Sequence, residues 1–307
     1  MRLVCGLAAG LFLASLLEAL RWTDLLAKAA CPLARLAHFG PAAASAFALA
    51  FVSPMAANSL LAEKYESGDL NSRELMLANL FNGLPAWLAH LPTLFLLTWP
   101  VLGGAAVTYA GLCLVAALGR TAFTACLGRI LLAPPPDTAI APALSRKGGF
   151  ASCLLKAWQR FKKRLPKLLL FTTPVYFLMW VCQQTGFFSA FEDWLAAHLD
   201  WLSFLKPQAM GIVALQLLAE MGATLGAAGA ALQDGSLGPQ DIVAALLTGN
   251  VLATPLRAVR HQFPAYAGFF RPALAFRLVI ANQCLRAASM AIVAVLYGLW
   301  ISGWRIP

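Results

Sequence analysis

The chain has 307 residues, of which 60% are hydrophobic and 12% charged, and its formal net charge is +10. Soluble domains run at about 45–50% apolar and about 25% charged, so this composition excludes an ordinary soluble domain. The basic excess does not point to nucleic acid: it concentrates between Arg146 and Lys167, beside a hydrophobic stretch, with no aromatic-basic recognition motif.

With a mean hydropathy of +0.72 and several runs near or beyond the roughly 18 apolar residues of a membrane span, the chain is expected to be a polytopic, all-α integral membrane protein. The first predicted span covers residues 3–20. Arg2 followed by Leu3 to Leu17 has the look of a signal peptide, but Glu18-Ala19-Leu20-Arg21-Trp22 is a poor cleavage site, so a retained helix is expected. Residues 21–38 mix Arg21, Asp24, Lys28 and Arg35 with Trp22, Leu25, Leu33 and Leu36, the pattern of an amphipathic interfacial helix.

A second span opens at Pro41 and runs to about 62. Residues 63–74 form a charged loop containing Gly68, and Asn71 with Glu74 predicts a capped helix start. A third apolar element reaches Pro100, interrupted at Asn82-Gly83-Leu84-Pro85. A fourth covers 102–132, and Pro134-Pro135-Pro136 opens a basic linker. The second half follows the same order. It has a span at 168–186, an amphipathic stretch at 188–205, a proline-led span at 207–232, a loop with Gly235, a helix starting at Pro239, an interruption at Thr248-Gly249-Asn250 and Thr254-Pro255, and a last span at 272–302. A shift of 167 residues lays Gly68 on Gly235, Leu70 on Leu237, Ala78 on Ala245 and Leu80 on Leu247. The expected organisation is therefore a duplication, with a first repeat at 1–132, a linker at 133–166 and a second repeat at 167–307. If every long segment crosses once, the repeats are parallel. If one broken element is a re-entrant hairpin, they are inverted. Under the positive-inside rule, the basic part of the linker, 143–167, is expected on the cytoplasmic side.

The seven cysteines stand singly, with no C-x-x-C pair, so neither a metal site nor a disulfide frame is expected. No G-x-S-x-G, H-E-x-x-H or P-loop appears, so neither enzymatic activity nor a cofactor is expected.

Ser53-Pro54 to Asn58-Ser59, the acidic-glycine loop through Gly68, Leu75-Met76-Leu77-Ala78-Asn79 and Asn82-Gly83-Leu84-Pro85 together resemble the nucleoside-recognition, or gate, domain family. That family includes spore maturation membrane proteins, the gate segments of ferrous-iron transporter B and relatives of concentrative nucleoside transporters. The resemblance implies broken membrane helices and a transport or gating role in a prokaryotic cytoplasmic (inner) membrane. The cysteine-containing gate motif of the iron transporter has no counterpart at Ser53 to Ser59, and there is no GTPase domain, so iron transport by that mechanism is not expected; the family name does not establish a ligand, so a nucleoside is not implied either.

The candidate substrate-binding residues are Ser53, Asn58, Ser59, Asn79, Asn82, Glu220, Thr248 and Asn250. They are polar groups in segments apolar enough for a bilayer, where freed backbone and polar side chains need protein or a watery cavity around them. The same groups also serve as interhelical contacts in membrane bundles. Gly83, Pro85, Gly249 and Pro255 are expected to shape the breaks. Glu220, between Leu218 and Met221, is the sharpest single candidate: a mid-membrane carboxylate costs about 2.5–3.5 kcal/mol on insertion scales. It is open to two readings, solute or proton coupling on one side, and a structural pair with Arg257, Arg260 or Arg286 or a protonated acid on the other. The expected function is movement of a small polar or ionic solute, by a transporter or transporter component, through the helix breaks. The alternative is a non-transporting scaffold that recruits partners. The expected partners are the lipid bilayer, an unidentified small solute, and a second copy or a second membrane subunit.

Overall fold

The computed structural model describes residues 32–134, 205–218 and 221–301, with isolated positions between 155 and 194. The predicted span at 3–20, residues 21–31 of the interfacial helix, the basic linker 143–167 and Glu220 lie outside the described residues, as do the 168–186 and 188–205 segments apart from isolated positions. All regular elements among the described residues are helices.

The expected second span, 41–62, is two helices, α1 (Pro41–Ala50) and α2 (Pro54–Glu66). Pro54 has no N–H to offer the carbonyl of Ala50, and it restricts the residue before it to extended backbone. Ser53 obeys, at φ −155° and ψ 110°. Ten helical residues rise only about 15 Å, half of a hydrocarbon core of about 30 Å. α1 and α2 pack on each other, and Phe51 and Val52 at their junction are exposed. The expected 207–232 span likewise contains two helices, α6 (Pro207–Leu218) and α7 (Met221–Gln233).

The loop after α2 closes on Gly68, whose φ of +82° lies in the left-handed region that favours glycine. Asn71 then accepts from the backbone of Arg73 and Glu74, Glu74 accepts from the Asn71 N–H, and α3 (Ser72–Phe81) begins. After α7 the chain does the same. Gly235 has φ +74°, Asp241 accepts from the Gly238 N–H at 2.9 Å, and α8 (Pro239–Leu252) begins.

α3 halts at Asn82, and α4 (Gly83–Leu102) resumes with Pro92 and Pro100 inside it. α5 (Gly104–Leu131) follows. α8 halts at Ala253 and is bent by 49° against α9 (Thr254–Ala267), which contains a π-helical turn at Ala258–Gln262. Pro264 lacks an N–H, and its ring crowds the carbonyl of Arg260, which accounts for the wider turn before it. α10 (Pro272–Ile301) ends the described chain. α5 (28 residues, mean hydropathy 1.6) and α10 (30 residues, 1.8) are long and apolar enough to cross a membrane, and two bent pairs, Ser72–Pro92 with Leu94–Leu102 and α8 with α9, raise the number to as many as four.

Two compact units divide the described residues. One gathers 32–89, 120–134 and 261–282; the other gathers 90–119, 205–260 and 283–301. Each draws on both halves of the sequence. The first has an alanine-rich core: Ala43, Ala44, Ala46, Ala48 and Ala50 of α1 are buried, around the packed rings of Phe39, Phe47 and Phe81. Small residues let helix backbones approach closely where a lipid-soluble core gives little hydrophobic drive. In the second unit α6 packs on α8, and Ile212 and Val213 of the one and Ile242, Val243 and Leu246 of the other are buried.

Candidate functional site

In the first unit, α3 turns Asn79 inward until it is 2% exposed. Its Nδ2 donates to Asn58 Oδ1 of α2 at 3.0 Å and lies 3.2 Å from the Tyr266 hydroxyl of α9. That hydroxyl also reaches Asn79 Oδ1, at 3.3 Å, and Asn282 of α10 donates to the same oxygen at 3.4 Å. One buried amide thus draws polar groups from three other helices. Three residues on, Asn82 is 6% exposed, and neither its oxygen nor its nitrogen has a hydrogen-bond partner. Buried polar side chains are satisfied in the large majority of cases, and this side-chain amide is an exception. Beside it, Arg120 Nη2 donates to the Gly83 carbonyl at 3.3 Å. A Cβ on Gly83 would stand 2.9 Å from Arg120 Nε, so this glycine gives room to the guanidinium.

In the second unit, Asn250 of α8 holds a similar place near the Ala253 break. Its Nδ2 donates to the Tyr109 hydroxyl of α5 at 2.8 Å. Its carbonyl accepts from Thr254 Oγ1 at 2.9 Å and from Arg257 Nη2 at 2.7 Å. Its Oδ1 accepts from Arg257 Nη2 at 2.9 Å and from Arg286 Nη2 of α10 at 3.3 Å. Two guanidiniums therefore converge on one neutral amide oxygen. Gln216 of α6 presses against Gly249, with both ends of its own amide buried and unpartnered.

The predicted site residues separate by role. Asn58 and Asn79 meet; Asn82 and Asn250 each stand at or near a break. Ser53 caps α2, accepting from the Ala56 N–H at 3.2 Å. Ser59 is buried. Thr248 lines a mostly apolar cavity of about 600 Å³, with Lys206 and Asp241 paired at 2.7 Å on its wall. Two residues on, Asn250 points about 200° away around the helix, so the cavity and the arginine pair lie on different faces of α8. Gly249 lies inside α8: it is a close-packing glycine, and the break falls four residues later at Ala253. Pro255 is the second residue of α9, and Pro85 is in the first turn of α4.

Tyr109, Tyr266, Asn282 and Arg120 were not among the sequence candidates, and Arg257 and Arg286 entered only as partners for Glu220. A signal for Arg286 was present: it stands about 21 Å along α10, near the middle of an apolar helix, where an ionisable group is a functional hypothesis by default.

No family model matches this chain, and no solved structure matches it. Two uncharacterized proteins of Methanocaldococcus jannaschii are similar to it. MJ0871 is 28% identical over 259 residues, covering 83% of this chain and 79% of that protein. MJ1556 is 23% identical over 266 residues, covering 85% and 83%.

Proposed function

We propose that this chain is a transporter, or the membrane-embedded component of one, in a prokaryotic cytoplasmic membrane, and that it moves a small polar or ionic solute past its helix breaks. One observation carries the reading. In each compact unit, a buried asparagine beside a break gathers polar groups from three other helices, Asn79 in one and Asn250 in the other. Irregular backbone and clustered polar groups at membrane depth are tolerated where they line protein or a watery cavity. Discontinuous helices in corresponding positions of two halves are how many secondary carriers build a site.

We read the two halves as gate-type repeats. Gly68 and Gly235, the caps at residues 71–74 and 238–241, and the thirteen-residue helices α2 and α7 all recur at an offset of 167. The Gly83 and Asn250 carbonyls, at the same offset, both accept from an arginine. α1 is too short to cross, which favours the re-entrant alternative and inverted halves.

The test is thermal unfolding of the purified full chain against nucleosides, amino acids, organic acids and divalent metals, with Glu220→Gln alongside. A ligand at 100 times its Kd raises stability by about 2.7 kcal/mol. A stabilising solute whose effect is lost in Glu220→Gln supports the reading. No response from any class, with the variant equally stable, favours the scaffold.

A further inference from the structure

The second unit concentrates positive charge that its own described residues do not balance. Arg257 and Arg286 both donate to Asn250 Oδ1, at 2.9 and 3.3 Å, and no carboxylate pairs with either guanidinium among the described residues. Arg257 on its own has an ordinary explanation. Asn250 lies in the last turn of α8, and a cation beside a helix C-terminus satisfies the carbonyls there. Arg286 has none. It comes from the middle of α10, and its hydrogen bond goes to the amide oxygen that Arg257 already uses. Arginine does not shed its proton to relieve burial, and buried charges are otherwise paired. The Nε of Arg257 is buried without a partner, so part of a donor fork stands ready. Both residues are mostly buried but keep part of their surface exposed, which leaves a ligand a way to reach them.

We propose that Arg257, Arg286 and Asn250 form a binding site for an oxyanion, the carboxylate or phosphate of a small solute. The guanidinium fork matches two oxygens of such a group. Asn250 holds the two forks toward one point, and Tyr109, by accepting from Asn250 Nδ2, fixes which end of the amide faces the arginines. The site deepens the transport reading, on which it rests for the claim that the anion is the transported solute.

The experiment titrates the purified full chain in neutral detergent with inorganic phosphate and with acetate, at constant ionic strength, following the unfolding midpoint and the heat of binding. In a second arm the chain is placed in nanodiscs of phosphatidylcholine alone or with phosphatidylglycerol. Arg286→Gln is expected to weaken oxyanion binding at least tenfold. Asn250→Asp is the decisive variant, because it sets a carboxylate between the guanidiniums. It is expected to fold, to be at least as stable as wild type, and to lose the response to phosphate. Stabilisation by phosphatidylglycerol without a response to phosphate or acetate keeps the oxyanion site and assigns it to a lipid headgroup. The absence of a saturable response in either arm overturns the site, as does a response unchanged in both variants. Oxyanion binding without flux in vesicles keeps the site and refutes transport; flux of a neutral solute without oxyanion binding does the reverse.

Discussion

Replacing Asn79 with leucine tests the first polar cluster at nearly constant side-chain size. The change removes the donor to Asn58 Oδ1 and both contacts with the Tyr266 hydroxyl, and it takes away the acceptor for Asn282. Interhelical hydrogen bonds in a membrane protein average about 0.6 kcal/mol, so losing three partner groups gives a floor of about 2 kcal/mol. Leaving a buried polar group unsatisfied costs about 1–3 kcal/mol. The Tyr266 and Asn282 contacts are long, which keeps the total near about 2–4 kcal/mol. Equilibrium unfolding in mixed micelles measures it. Tyr266→Phe removes one hydroxyl; it is expected to cost about 1 kcal/mol in the wild type and close to nothing beside Asn79→Leu, a coupling within the range for contacting residues. An Asn79→Leu protein within about 0.5 kcal/mol of wild type, or strictly additive costs, would refute the cluster as a coupled unit.

Two glycines of α5 are expected to behave oppositely. A Cβ at Gly128 runs into the backbone carbonyl of Ala37, so Gly128→Ala loses about 1–3 kcal/mol, while nothing lies within 4 Å at Gly111, so Gly111→Ala is neutral or gains up to about 1 kcal/mol in the same unfolding assay. Asn71→Ala removes the acceptor for two backbone donors at the start of α3 and costs about 1 kcal/mol. Lys64, 3.0 Å away, holds the Asp69 carboxyl below the ordinary aspartate value of 3.8. A depressed folded pKa makes the contribution present above that value and lost as pH falls through the folded one. Amide exchange at Leu70, whose N–H bonds the Lys64 carbonyl, is therefore expected to differ between wild type and Asp69→Asn at pH 6 and to converge as pH falls through the folded Asp69 value.

The helical class, the capped loop around Asn71 and the interruption at Asn82 were legible, because each rests on local chemistry: apolar runs, an acceptor three residues before a glutamate, and Gly and Pro inside an apolar stretch. The division of 41–62 into two helices was signalled by Pro54, but the uninterrupted apolar run outweighed it. Gly249 was read as a break because glycine is a poor helix residue; only the contact with Gln216 reveals that the helix continues through it and needs its missing side chain. The partners of Asn79 and Asn250 were not legible. Tyr266 is 187 residues from Asn79 and Tyr109 is 141 from Asn250, and spacing in a sequence says nothing about contacts of that range.

The most direct test of the account is flux. The full chain is reconstituted into sealed vesicles, and currents or tracer uptake follow concentration jumps of small carboxylates, phosphate, nucleosides and amino acids. The account predicts protein-dependent movement of at least one anionic solute, abolished in Asn250→Asp while that variant stays folded. Vesicles of folded wild-type protein that pass none of these solutes would contradict it.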